Sequence, residues 1–275
     1  MDRINKKITK CTICSETNQD GTLLDYQGNE YAICSNCGTW YQVNTTIVKY
    51  DATYWGEVMD PDGVKRNLTE ERDSKIKNWY GNTINHINTI PHGKILDIGA
   101  GLGFFLSAIS DKWEKHAFDI SEEALSFIKK TTPAVYRHNN LDDIVEKLGN
   151  EYFDVIMCYH VIEHLPDASS LIDSMNDLLK PGGLMIIGTP NAESYTAKRF
   201  KGNFRLLDRT HLSILTKKSI SLLIKKYKLK IIEMEYPYFK TDYFTFRNIT
   251  RLFNKKKLSP PFYGSIMTAY IRKEE

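Results

Sequence analysis

Lys94-Ile95-Leu96-Asp97-Ile98-Gly99-Ala100-Gly101-Leu102-Gly103-Phe104-Phe105 decides how the rest of the chain is read. An apolar run ends at an acid, and three glycines at every second position then carry the backbone into a new apolar segment. Glycine tolerates positive φ and lets a ligand approach the main chain where a Cβ would intrude, so the stretch predicts a buried strand turning through a binding loop into a helix. A dinucleotide fingerprint would need its third glycine after a two-residue gap, and Phe104 stands there instead. Downstream, β-type runs alternate with helical ones. Lys94 to Ile98 is followed by a helix from about Phe104, then His116 to Ile120, a helix from Glu122 to Lys130, and Ala134 to Arg137. A helix near Leu141 to Leu148, the run Phe153 to Tyr159, a helix near Ala168 to Leu179 and Leu184 to Thr189 complete the series. Such alternation predicts an α/β fold with a parallel sheet covered by helices on both faces. Near the end, a helix around Lys217 to Tyr227, a strand around Lys230 to Glu235 and a last strand, Ser265 to Arg272, predict an antiparallel pair at the sheet edge.

The D-x-G-x-G-x-G loop resembles that of the class I S-adenosylmethionine-dependent methyltransferases, and three further motifs fall in the matching order. The resemblance covers roughly residues 90 to 275. It implies a Rossmann-like seven-stranded sheet, mostly parallel with an antiparallel edge strand. Asp97 would serve the cofactor's amino group, and the backbone of Gly99, Ala100, Gly101, Gly103 and Phe104 would lie along the ligand. Asp119 ends the second strand, at about the ~20-residue distance where a ribose-binding acid is expected. Ile120 would flank the adenine. Asn140 occupies the place of the usual adenine-binding aspartate, with Leu141 beside it and Asp142 as a fallback. Tyr159, ending the fourth strand, is placed with the cofactor. Lys180-Pro181-Gly182-Gly183 matches the family's turn into the fifth strand and has a structural purpose.

Tyr159-His160-Val161-Ile162-Glu163-His164-Leu165 follows the fourth strand, where ligands of parallel sheets bind. A helical turn there would align His160, Glu163 and His164, and His211 is a fourth candidate. The run resembles the E-x-x-E-H motif of ubiquinone-pathway O-methyltransferases and of plant small-RNA 2′-O-methyltransferases, with His160 in place of the first glutamate. Three readings stand. The group holds a second divalent metal that acidifies an acceptor hydroxyl; a histidine works as general base without metal; or Glu163 and His164 only pin the turn. Cys158, alone in an apolar run, is read as a small core residue.

Cys11, Cys14, Cys34 and Cys37 form C-x2-C-x19-C-x2-C, the spacing of a four-thiolate zinc site with no open position. The surrounding segment is too small to fold without metal. The chain is therefore divided into a zinc ribbon (1–48), a helical connector (49–90) with the aromatics Tyr50, Tyr54 and Trp55, and a methyltransferase domain (91–275). Zinc ribbons before such domains resemble those of bacterial sugar and surface-polysaccharide enzymes and of an rRNA guanine methyltransferase family. Nucleic acid is disfavoured: the 275 residues carry a formal net charge of only +3, and the ribbon has no dense basic patch. The sugar C-methyltransferases carry an additional C-terminal domain for which this chain is too short, which favours O-methylation.

Between Tyr236 and Tyr263 lies an insert rich in aromatic and basic residues. Three roles are open to it: a lid over the acceptor, an amphipathic contact with a membrane surface, or a packed surface helix. No apolar run approaches the roughly 20 residues of a membrane span. The N-terminus, basic and polar, has no apolar core of a secretory signal, which predicts the cytoplasm. The sequence thus predicts an S-adenosylmethionine-dependent O-methyltransferase acting on a sugar or another small hydroxylated metabolite. An RNA methyltransferase and a cofactor-binding module without turnover are the alternatives. Acceptor identity and oligomeric state are not written in these residues.

Overall fold

The structure, a computed structural model, describes residues 6–45, 57–59 and 65–275. Tyr50, Tyr54, Trp55 and the turn Pro61-Asp62-Gly63 lie outside the described residues. Short strands open the chain: β1 (Lys6–Lys7), β2 (Gln19–Leu24), β3 (Glu30–Cys34), β4 (Trp40–Gln42) and β5 (Asn44–Thr45). β2, β3 and β4 form an antiparallel meander, and β1 pairs with β5. β6 (Glu57–Met59) and β7 (Lys65–Asn67) pair antiparallel.

The helical part of the expected 49–90 connector is present but broken. It consists of a 3-10 turn (Leu68–Glu70), α1 (Arg72–Lys75), a π turn (Ile76–Tyr80) and α2 (Gly81–Ile87). A π turn inserts an extra residue and resets the helical phase. Ile84 and Ile87 accordingly face the main core, while Trp79 and Tyr80 face a cavity described below.

The large sheet follows: β8 (Lys94–Ile98), α3 (Phe104–Ala108), β9 (Glu114–Phe118), α4 (Glu122–Thr131), β10 (Tyr136–His138), α5 (Leu141–Leu148), β11 (Phe153–Tyr159), α6 (Ala168–Leu178) and β12 (Leu179–Pro190). After it come α7 (Tyr195–Phe200), β13 (Ser213–Ile214), α8 (Lys217–Ile224), β14 (Leu229–Glu235), α9 (Phe246–Arg251) and β15 (Ile266–Lys273). The strand order is β10-β9-β8-β11-β12-β15-β14. β8 to β12 run parallel; β15 alone is reversed and lies one place in from the edge, between β12 and β14. The third strand starts at Tyr136 rather than Ala134. Lys180 to Gly183 bulge from β12, because the pairing moves from Phe153–Leu179 directly to Val155–Leu184.

Strand alternation distributes the core over two faces. Leu96, Ile98, Ile156 and Cys158 meet Ile144 of α5, Leu171 and Ile172 of α6, and Ile220 and Leu223 of α8. Ile95, Val155 and Met157 meet α2, Phe105 and Leu106 of α3, and Ile128 of α4. The order reverses between β8 and β11, which opens a crevice at their carboxyl ends.

The cysteine meander is stitched to this body. β13 adds to β4 as a fourth strand, pairing Ser213 with Tyr41 and Ile214 with Trp40. Tyr31 and Trp40 share a buried cluster with Ala197, Phe204 and Leu207, and Gly202 approaches so closely that a Cβ there would lie 1.9 Å from the Leu24 carbonyl oxygen.

Candidate active site

The glycine loop leaves β8 with Gly99, Gly101 and Gly103 at φ of 73°, 53° and 70°, a conformation that costs other residues strain. A Cβ at Gly99 would stand 2.1 Å from Val161 Cγ2, and one at Gly103 2.7 Å from Ile128 Cγ1. Asp97 and Asp119 are both buried beneath the loop. Burial, with the nearby Asp119, holds the Asp97 carboxyl well above the usual range, and burial also raises Asp119. Asp119 Oδ2 accepts from Gly101 N at 2.8 Å and Oδ1 from Ser121 N at 2.9 Å, so this acid holds the loop's own backbone while keeping a second lone pair on each oxygen.

A cavity of about 570 Å³ opens at the crevice. Its lining includes Gly99, Ala100, Gly101 and Phe104 of the glycine loop together with Tyr159, His160, His164 and His211. The structure thus brings the glycine loop and the three histidines into one space. Not every expected residue joins them. Asp97, Gly103, Asp119, Ile120, Asn140, Leu141 and Glu163 are not among the lining residues, Asp97 and Asp119 lying buried beneath the loop. Asn140 Oδ1 instead accepts from Asp142 N at 3.0 Å as the N-cap of α5, and Leu141 packs against the core. Tyr159 offers only its ring, since its hydroxyl bonds Thr83 and Thr268 inside the protein.

His160 has φ of 55°, a strained position at a strand end of the kind found at functional sites. Its Nδ1 meets Glu163 Oε1 at 2.9 Å, and its Nε2 is buried with no hydrogen-bond partner among the described residues. The expected helical turn is a 3-10 turn at Ile162–His164. Glu163 is fully buried, and Oε2 accepts from Thr189 Oγ1 at 3.1 Å. Burial alone would raise Glu163, but the His160 hydrogen bond and the fields of His160, His164 and His211 outweigh it and pull the carboxyl down to about 2. His164, depressed to about 4 by burial and then by His211, is neutral at working pH.

His164 Nδ1 meets the Thr210 carbonyl at 2.8 Å, and His211 Nδ1 meets that of Leu206 at 2.6 Å. A carbonyl can only accept, so in the neutral rings Nδ1 carries the proton and Nε2 the lone pair. One ligand atom from each of Glu163, His164 and His211 lies within 4.8 Å of the others. Two histidines anchored by carbonyls plus a carboxylate make a set that fits a divalent cation with positions left open. His160, expected in that set, is turned to Glu163 instead.

Several lining residues carried no sequence signal strong enough to be singled out. The Trp79 ring lies 4.8 Å from that of His160, tilted by 53°, and donates Nε1–H to Tyr243 Oη at 2.9 Å. Asn78 Oδ1 accepts from Asp242 N at 2.7 Å. These bonds seat the 236–263 insert over the helical segment, and its Tyr243, Asn248, Arg251 and Phe262 line the cavity.

The four ribbon cysteines cluster with Sγ separations of 3.6 Å (Cys11–Cys37), 3.5 Å (Cys14–Cys34) and 3.6 Å (Cys14–Cys37). A tetrahedron with Zn–S of about 2.3 Å has edges of about 3.8 Å, so the donor set fits zinc. Backbone N–H groups of Ile13 and Cys37 point at Cys11 and Cys34 Sγ, and Thr39 Oγ1 lies 3.0 Å from Cys37 Sγ. Cys158 is buried in the sheet core, and burial raises its thiol well away from reactivity.

A family profile described as a methyltransferase domain matches residues 61–234. A "Ubiquinone biosynthesis O-methyltransferase" of Shewanella sp. (strain ANA-3) is 30% identical over 103 residues, 36% of this chain and 44% of that protein. One of the same description from Leptothrix cholodnii is 26% identical over 139 residues, 48% of this chain and 57% of that protein. The chain thus spans about half the length of these curated relatives. The crystal structure of a SAM-dependent methyltransferase from Archaeoglobus fulgidus superposes with a TM-score of 0.54 at 21% identity, over 75% of this chain and 98% of that one. The PH0226 protein of Pyrococcus horikoshii gives 0.53 at 16% identity, over 75% and 92%.

Proposed function

The chain belongs to the methyltransferase-domain family, and from that premise we propose that it moves the methyl group of S-adenosylmethionine to a hydroxyl of a small acceptor. The observation that carries this reading is the single cavity running from the glycine loop to His160, His164 and His211. Its size suits one ligand of a few hundred Å³ beside another. Trp79, Tyr243 and Phe262 offer ring faces, and Asn248 offers an amide. That lining fits a ring bearing hydroxyls: a sugar, as the sequence suggests, or a phenol, as the relatives' description suggests. Acceptors in nucleic acid or a surface polysaccharide have no support beyond the sequence resemblances. No helix of the described residues is long and apolar enough to cross a membrane.

In this reading Asp97 faces the cofactor's ammonium, Asp119 its ribose, and the loop backbone its length. A sulfonium is already a good leaving group. What remains is to align oxygen, methyl and sulfur in line and to take the hydroxyl proton. His160 Nε2 is the proton acceptor: its Nδ1–H is donated to Glu163, which fixes the tautomer and stabilises the imidazolium once the proton arrives. A second reading has its own observation, the mutual approach of Glu163, His164 and His211. A divalent cation bound there supplies Lewis-acid lowering of the acceptor hydroxyl's pKa. His160 then orients Glu163.

The test is S-adenosylhomocysteine release from the purified chain with S-adenosylmethionine and a panel of sugars, sugar nucleotides, catechols and RNA, with and without EDTA followed by Mg²⁺ or Mn²⁺. Release with a small hydroxylated acceptor is expected. His160→Asn should then lower kcat by about 10²-fold or more, the typical range for a general base, with cofactor affinity unchanged. Release with RNA alone, or with no acceptor, contradicts the proposal.

A further inference from the structure

We propose that Tyr31 and Gln42, carried by the cysteine-bearing meander, are positioning residues that hold the 206–212 loop and so fix His211 in the acceptor site. The ribbon is then a structural arm of the active site. The buried Tyr31 hydroxyl lies 2.5 Å from the Asp208 carbonyl oxygen and 2.9 Å from that of His211. Gln42, also buried, donates from Nε2 to Tyr31 Oη at 2.8 Å and to the Arg209 carbonyl at 3.0 Å. Its backbone N–H reaches the Leu212 carbonyl at 2.9 Å, and the next residues pair with β4.

The Asp208 carbonyl also receives His211 N at 3.0 Å within the turn, and the one Tyr31 hydroxyl proton is shared between two carbonyls, so the meander's side chains matter most to the His211 and Arg209 carbonyls. The Tyr31 bond to the His211 carbonyl is buried and the Gln42 bond to the Arg209 carbonyl half-buried, and a carbonyl withdrawn from water without a donor is costly, so removing these donors loosens the loop. The loop's shape is what sets the imidazole. His211 Nδ1 meets the Leu206 carbonyl within the same loop, while the Thr210 carbonyl receives His164. Asp208 Oδ1 accepts from Thr210 N and Oγ1, closing the turn between them. Neither Tyr31 nor Gln42 lines the cavity, so both act through His211 and the turn rather than on the acceptor.

The consequence for transfer rests on the functional reading above; the positioning itself does not. Side-chain ¹⁵N NMR of the full-length chain, with His211 assigned by the peak lost in His211→Asn, reads the ring directly. The wild type should show one Nδ1-protonated tautomer. Tyr31→Phe, which removes one hydroxyl, and Gln42→Met, which removes the amide with its donors, should each shift or broaden that signal toward a tautomer mixture. The affinity for S-adenosylhomocysteine should stay within about twofold, because the glycine loop lies elsewhere. An unaltered His211 signal in both folded variants overturns the proposal, as does an equal loss of S-adenosylhomocysteine affinity. If His211→Asn keeps full turnover while the NMR changes appear, the role of His211 in transfer falls and the positioning stands.

Discussion

At the level of single residues, the two buried acids Asp97 and Glu163 are tuned in opposite directions. Glu163 is surrounded by histidines and held at about 2; Asp97 has burial and Asp119 against it and is raised. Between the unfolded value of 3.8 and its raised native value, Asp97 keeps a proton in the folded chain that the unfolded chain has lost. Rising pH through that window therefore removes stability, and the penalty is complete above it. Glu163 does the reverse: its contribution is present above 4.5 and is lost as pH falls toward about 2. A cofactor ammonium would supply the countercharge that Asp97 lacks. Asp97→Asn should raise the ligand-free Tm at pH 8 and flatten its decline with pH, while weakening S-adenosylmethionine binding at least tenfold, about 1.4 kcal/mol. Thermal scans across pH and calorimetry check both halves. A lower Tm with unchanged affinity contradicts this assignment. The burial of Asp97 beneath the glycine loop was legible because it closes an apolar run just before the glycines. The sequence reading of Asn140 missed its local role: an asparagine between strand and helix is a strong N-cap, and its oxygen accepts from Asp142 N.

The glycine loop and the 3-10 turn after β11 behave as one element. Gly99 faces Val161 with no room for a Cβ, and Val161 leads into Glu163 and His164. Gly99→Ala must therefore move the turn or leave the loop strained at φ 73°, each at a cost of about 1–3 kcal/mol. Tm should drop by several degrees, and cofactor affinity and turnover should fall together; calorimetric scanning with binding measurements reads this. An unchanged protein contradicts the packing. Strands β8, β11 and β12 were readable from apolar runs because both faces of the sheet are covered; β9 (Glu114–Phe118), with the polar start Glu-Lys-His, begins two residues before the expected His116. The π turn at Ile76–Tyr80 was not readable: its sequence, Ile-Lys-Asn-Trp-Tyr, has ordinary helical character, and only packing against the insert and the sheet selects the wider turn. The insert's contribution to the cavity was open for the same reason.

Across the whole molecule, the cysteine meander and the large sheet share strands and core. Thr216 Oγ1 donates to the Cys37 carbonyl at 2.6 Å, and Thr39 Oγ1 bonds Ser219 Oγ at 2.6 Å, tying the knuckle to the start of α8. Cysteine spacing made the metal-type cluster evident in the sequence, but not that β13, 170 residues downstream by number, completes its sheet. Such long-range pairing leaves no local pattern. Purified protein should contain one zinc per chain. Stripping it should raise hydrogen exchange in residues 11–42 and also 206–216, while β8 and β11 remain protected. Exchange confined to the ribbon, or no zinc, contradicts this coupling.

Titration of the chain with S-adenosylmethionine in a calorimeter bears most directly on the central claim. A saturable one-to-one heat, lost when Gly101 is replaced by valine at its φ of 53°, is the predicted result. Absence of heat from the folded wild type, or a heat undiminished in the variant, would contradict it.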